Sequence, residues 1–259
     1  MLLRLPEQNA YPLLIFVFCT TFFIYNIQRI IRLDYQKLIG KYIGIRLSWI
    51  IRNRKIITLF SLLSAIIAIV FALFYLSKII LISIPLGIIS VLYVIPFYKK
   101  KALRHFTWSK ISIIALVWAS TTILLPVILN LGWSAISSSH IYLLFIEQFL
   151  FIFAITLPFD VRDLKYDLSF KMRTIPSKIG ITKTIQLAHL FLLITVGLKY
   201  YQFYLGQIDS AQFIANSIAI FITGIIVAFT SMKRSELFFS GLVESTMVIL
   251  YFSTLVLEY

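Results

Sequence analysis

Apolar residues run through this chain in long blocks, and polar residues gather in the intervals between them. Eight blocks, at about 11–31, 56–77, 79–98, 111–130, 139–159, 183–204, 211–231 and 238–257, are long enough, or nearly so, to cross roughly 30 Å of hydrocarbon as helices. In lipid a spanning segment must satisfy its own backbone N–H and C=O groups, so each block reads as a helix. The expected fold class is all-α, a polytopic membrane helical bundle of about eight transmembrane helices. No linker is long enough to divide it, so a single membrane domain over residues 1–259 is expected.

Composition agrees with this pattern. The chain is 60% hydrophobic and 13% charged, with a mean hydropathy of +0.95, which excludes an ordinary soluble domain. Only Arg4 precedes the first block, no small-residue cleavage site follows it, and Asn26, Gln28 and Arg29 arrive at its end. The first block is therefore expected to stay as a membrane helix. Cys19 is the single cysteine, so no intrachain disulfide can form.

The net charge of +14 is distributed unevenly: 21 of the 24 Lys and Arg residues lie in the connections after blocks 1, 3, 5 and 7 or at the block ends that flank them. The alternate connections hold almost none. This asymmetry places the charged side in the cytoplasm, both termini outside, and the protein in the cell's inner or plasma membrane. Most of these cations orient the chain and meet anionic lipid headgroups. Insertion accounts for the basic bias, so nucleic acid is not an expected partner.

The acids are few, ten in all, and three of them fall within eight residues: Asp160, Asp163 and Asp167, at the foot of block 5. Spacing of i, i+3 and i+7 puts them on one helical face, where like charges repel unless a cation intervenes. Arg162, Lys165 or a bound Mg²⁺ would serve. On block 1, Asn26, Ile30 and Asp34 form a second stripe at i, i+4, i+8 that reaches the same face of the membrane. Between the two lies Tyr93-Val-Ile-Pro-Phe-Tyr-Lys99-Lys100-Lys101, a third cytoplasmic helix end. Carboxylates beside cations at a membrane surface suit a Mg²⁺-diphosphate, since Mg²⁺ takes one or two carboxylates and fills its shell with phosphate oxygens and water. An apolar bundle below such a site can hold a hydrocarbon tail.

These residues resemble the UbiA superfamily of membrane prenyltransferases. Asp163-Leu-Lys-Tyr-Asp167 matches the family's second motif, D-x-x-x-D, and Arg173-Thr174-Ile-Pro176-Ser-Lys178-Ile-Gly180 is similar to the R-T-x-P-x-x-x-G tail that follows it. Asn26-Ile-Gln-Arg-Ile30-Ile-Arg-Leu-Asp34 is similar to the first motif, N-x-x-x-D-x-x-x-D, with Ile30 in place of the middle acid. The family fold has nine helices, and the helix before the first motif has no counterpart in this reading.

The resemblance implies a UbiA-like prenyltransferase that ionises an allylic polyprenyl diphosphate and passes the carbocation to a lipophilic, usually aromatic, acceptor. It implies Mg²⁺ as cofactor, held by Asp163 and Asp167, with Asn26 and Asp34 as ligands of a second ion. It makes Lys99, Arg173 and Lys178 diphosphate-binding candidates and puts Asp160 at a further polar position of the site. Isoleucine cannot ligate a metal, so Ile30 also admits a non-catalytic relative that binds a lipid or a partner. A small transporter built on intramembrane Glu147 and Glu244 is the third reading. Oligomeric state is not legible.

Overall fold

The computed structural model describes residues 7–38, 45–95, 102–169 and 172–255. They form α1 (Glu7–Leu38), α2 (Ile45–Arg52), α3 (Arg54–Phe74), α4 (Ile80–Val94), α5 (Ser109–Ala119), α6 (Leu125–Leu131), α7 (Ser139–Ser169), α8 (Ile175–Ile179), α9 (Ile181–Tyr204), α10 (Ser210–Ala228) and α11 (Glu244–Leu255). A π-helical turn, Ser120–Leu124, joins α5 to α6, and another, Phe238–Val243, leads into α11. No strand occurs among the described residues. Among the described residues, seven helical segments are long and apolar enough to cross a membrane, and an eighth, Phe238–Thr254, is shorter. The chain is an all-α integral membrane protein, and the expected eight blocks correspond to these seven segments and the shorter one.

The helices gather in two compact units. In one, α1 packs along α3 and touches α4. The buried residues of α3 are Ser61, Ser64 and Ala68, one small-residue stripe at i, i+3, i+7. Small side chains allow close backbone approach, which is how helices associate where lipid removes the hydrophobic drive. Leu59, Phe60, Leu63, Ile66 and Leu73 of the same helix are exposed, as a lipid-facing surface requires.

The other unit holds α5 and α7 to α11, with α7 against α5 and α9, α9 against α10, and α10 against α11. Its core runs through α7, where Phe151, Ile152, Phe153, Ala154, Ile155 and Leu157 are all buried. Apolar residues all round a helix mark one enclosed by others. Thirty-one residues make α7 about 46 Å long, well beyond the hydrocarbon thickness. Beyond the span expected at 139–159 the helix continues through its three acids, as their spacing on one helical face requires. Pro158 lies inside it, so one backbone hydrogen bond is missing just before Asp160.

Candidate functional site at the foot of α7

Helical phase sorts the three acids. At 100° per residue, Asp167 lies about 20° from Asp160 around the helix and Asp163 about 60° away. Asp160 and Asp167 accordingly converge on one cation from another helix. Lys110 Nζ is 2.6 Å from Asp160 Oδ1 and 3.3 Å from Asp167 Oδ2. Asp163 turns to its neighbour Arg162, whose Nε donates to Asp163 Oδ1 at 2.8 Å. Lys165 is exposed. Of the two lysine and arginine side chains expected to balance the stripe, only Arg162 does so, and the cation between Asp160 and Asp167 is one that local sequence did not single out.

Lys110 and Asp167 each carry the wrong sign for their own helix end. Lys110 is in the first turn of α5, which has no acid, and Asp167 is in the last turn of α7, which has no cation. A helix N-terminus favours anions and a C-terminus cations. Bringing the two ends together corrects both. Asp160 is fully buried and Asp167 2% exposed. The contact of Asp160 Oδ1 with Lys110 is an ion pair out of hydrogen-bond alignment, and Oδ2 has no hydrogen-bond partner among the described residues.

Arg162 is the centre of a second cluster. Its guanidinium lies 5.1 Å from the Phe159 ring centroid and 5.5 Å from that of Phe239. Glu236 Oε2 stands 3.9 Å away, and Glu244, exposed at the start of α11, is within its electrostatic reach. Glu244 therefore belongs with the charges around Arg162.

The motif tail builds the next turn. Pro176 opens α8, where its missing N–H has no partner to lose. Ser177 Oγ accepts from the Thr174 N–H at 2.9 Å and donates to the Thr174 carbonyl at 2.7 Å, capping the same helix. Gly180 joins α8 to α9 with φ +83° and ψ 165°, a conformation reserved for glycine. These residues fix the short α8, which carries Lys178 and begins two residues after Arg173. Both side chains are exposed and line one recess of about 430 Å³ with Leu168, Met172 and Ser177. Two of the three diphosphate candidates thus face one space, beside the last turn of α7. The third, Lys99, lies outside the described residues.

Asn26 is half-buried in α1, in the other unit, and its Nδ2 donates to the Phe22 carbonyl at 2.8 Å. Ile30 is buried. Asp34 is on α1, and its side chain lies outside the described residues.

Glu147 is deeper in α7, about 20 Å from Asp160 along the helix. It is clasped to α9: Glu147 Oε1 is 2.8 Å from Lys199 Nζ, and Gln202 Nε2 donates to Oε2 at 2.9 Å. All three side chains are buried. A carboxylate in a membrane interior needs such a partner, and this one pins α7 to α9.

No group of three or more His, Cys, Asp or Glu side chains is disposed to hold a metal among the described residues. Mg²⁺ asks less of a protein: one or two carboxylates suffice when phosphate completes its shell. The hard oxygens at the foot of α7, including the unpartnered Asp160 Oδ2, fit that demand.

No family model matches the sequence, and no curated protein does. Solved structures do match. A UbiA homologue from Aeropyrum pernix K1, in its apo form, superposes with a TM-score of 0.72 over 97% of this chain and 90% of its own, at 13% identity. A UbiA homologue from Archaeoglobus fulgidus bound to GPP and Mg²⁺ gives 0.67 over 99% and 90%, at 15% identity. The same homologue bound to DMAPP and Mg²⁺ gives 0.65 over 98% and 90%, at 16% identity. The chain has the UbiA fold. Within that fold, the acid-bearing foot of α7 and the Arg173–Lys178 recess are the polar features that the two motif segments build.

Proposed function

We propose that this protein is a membrane prenyltransferase that moves a polyprenyl group from an allylic diphosphate to a lipophilic, aromatic acceptor, with Mg²⁺ as cofactor. The observation that carries the reading is the foot of α7, where three carboxylates, two of them buried, precede Leu168, which lines one recess with Arg173 and Lys178. The fold match to a homologue bound to GPP and Mg²⁺ supports it.

Asp163 and Asp167 would hold Mg²⁺, and Asn26 and Asp34 would contribute to a second ion. Bound there, Mg²⁺ would neutralise charge developing on the departing diphosphate. Arg173, Lys178 and Lys99 would bind the remaining phosphate oxygens, Arg173 through its planar fork and the lysines as point charges. Such donors act most strongly where they face charge that grows in the transition state. An apolar helix interior would keep water from the carbocation until the acceptor captures it. The positive-inside bias supports a cytoplasmic face for this chemistry.

The test is Mg²⁺-dependent release of pyrophosphate from geranyl diphosphate by the purified protein, with Asp163→Asn and Asp167→Asn as controls. Release that needs Mg²⁺ and both aspartates supports the reading; its absence in the folded wild type overturns it. Buried Ile30 favours a second reading, a non-catalytic relative that binds a lipid. Binding of geranyl diphosphate without turnover, with turnover gained in Ile30→Asp, would select that one.

A further inference from the structure

We propose that the Lys110 ammonium is a tethered competitor for the divalent cation at the foot of α7: it holds Asp160 and Asp167 until a diphosphate draws it away, so that metal and diphosphate enter together. The inference rests on the metal-diphosphate reading above and adds an order of binding to it.

One nitrogen contacts both carboxylates, at 2.6 and 3.3 Å. Mg²⁺ held by Asp163 and Asp167 would need an Asp167 oxygen at about 2.0–2.1 Å, on the carboxylate Lys110 already contacts, so ammonium and metal compete for that group and repel each other there. Asp160, Asp167 and Lys110 together sum to one negative charge. A bare divalent ion entering beside the ammonium would place two cations against one carboxylate pair. A diphosphate arriving with the metal supplies new negative charge and gives the ammonium somewhere to go.

Exposure identifies the moving part. The side chains of Asp160 and Asp167 are 0% and 3% exposed, whereas that of Lys110 is 17% exposed. Lysine carries a compact charge on a flexible four-carbon stem, which suits it to swing between partners. The carboxylates stay, and Asp160 Oδ2, without a hydrogen-bond partner among the described residues, keeps lone pairs for an incoming ion. Arg162, engaged with Asp163, relieves neither of the other two acids.

The experiment measures Mn²⁺ bound to the detergent-purified full chain by equilibrium dialysis and electron spin resonance, with Mn²⁺ alone and with Mn²⁺ plus inorganic pyrophosphate. Wild type is expected to bind Mn²⁺ alone at least tenfold more weakly than Lys110→Met or Lys110→Gln, and pyrophosphate to bring it within about threefold of them. Mn²⁺ alone should raise the melting temperature of both variants and leave that of the wild type unmoved. Equal affinity for Mn²⁺ alone in wild type and variants overturns the proposal. Should the variants not fold, the wild type decides: Mn²⁺ binding that is the same with and without pyrophosphate overturns it, and pyrophosphate-dependent binding supports it. If wild type and folded variants bind no Mn²⁺ under either condition, the metal-diphosphate reading fails and this inference with it. Metal binding that ignores pyrophosphate defeats the inference alone.

Discussion

Lys110 in α5 and Asp160 in α7 form a 2.6 Å ion pair in which the carboxylate is fully buried. A buried charge that loses its partner typically destabilises a protein by about 3–5 kcal/mol, whereas replacing the whole pair by apolar residues is often neutral. Lys110→Met is therefore expected to lower stability by about 3 kcal/mol, and Asp160→Asn by less, because Asp167 still neutralises the ammonium. A double-mutant cycle on thermal unfolding in detergent reads the coupling.

The Glu147–Lys199 clasp makes a similar prediction at a place remote from the chemistry. Either Glu147→Met or Lys199→Met alone should cost about 3 kcal/mol of stability, and the double variant should recover most of it. Pyrophosphate release per folded molecule should be unchanged in the double variant, since Glu147 is about 20 Å along α7 from Asp160. Flux into proteoliposomes that depends on Glu147 in folded protein would favour the transport reading over a helix clasp.

Gly180→Ala tests the joint between α8 and α9. No side chain crowds the position, so the penalty comes from the backbone alone, about 1–3 kcal/mol. Thermal unfolding should fall accordingly, and a loss of diphosphate affinity should accompany it, because Lys178 sits in α8 two residues before Gly180.

How much of this was legible in sequence depends on range. The blocks announced the spanning helices because 20-residue apolar runs in lipid have one backbone solution. Residues 139–159 read as the membrane span and the acids beyond it as one helical face, and α7 runs through both to Ser169, since a helix does not stop where the hydrocarbon does. The short α2 lay inside what read as a polar connection. The acid stripe was visible, but its cation was not. Lys110 is 50 residues before Asp160, and Lys199 is 52 after Glu147. Pairings across helices leave no trace in periodicity. The one clue lay at the helix ends, with a lysine in a first turn and an aspartate in a last turn, each unfavourable until paired.

Arg173→Ala and Lys178→Ala should each weaken geranyl diphosphate binding by roughly tenfold at low ionic strength, and by less in high salt, because exposed charges are screened. Isothermal titration at two salt concentrations separates this electrostatic role from a structural one, which salt would not alter.

The most direct measurement of the central claim is pyrophosphate released from geranyl diphosphate by the purified protein in the presence and absence of Mg²⁺. The account predicts release that requires Mg²⁺ and falls at least a hundredfold, about 2.7 kcal/mol in barrier, in Asp163→Asn and in Asp167→Asn. Release by the folded wild type that is indifferent to Mg²⁺ and to both substitutions, or no release at all, would contradict it.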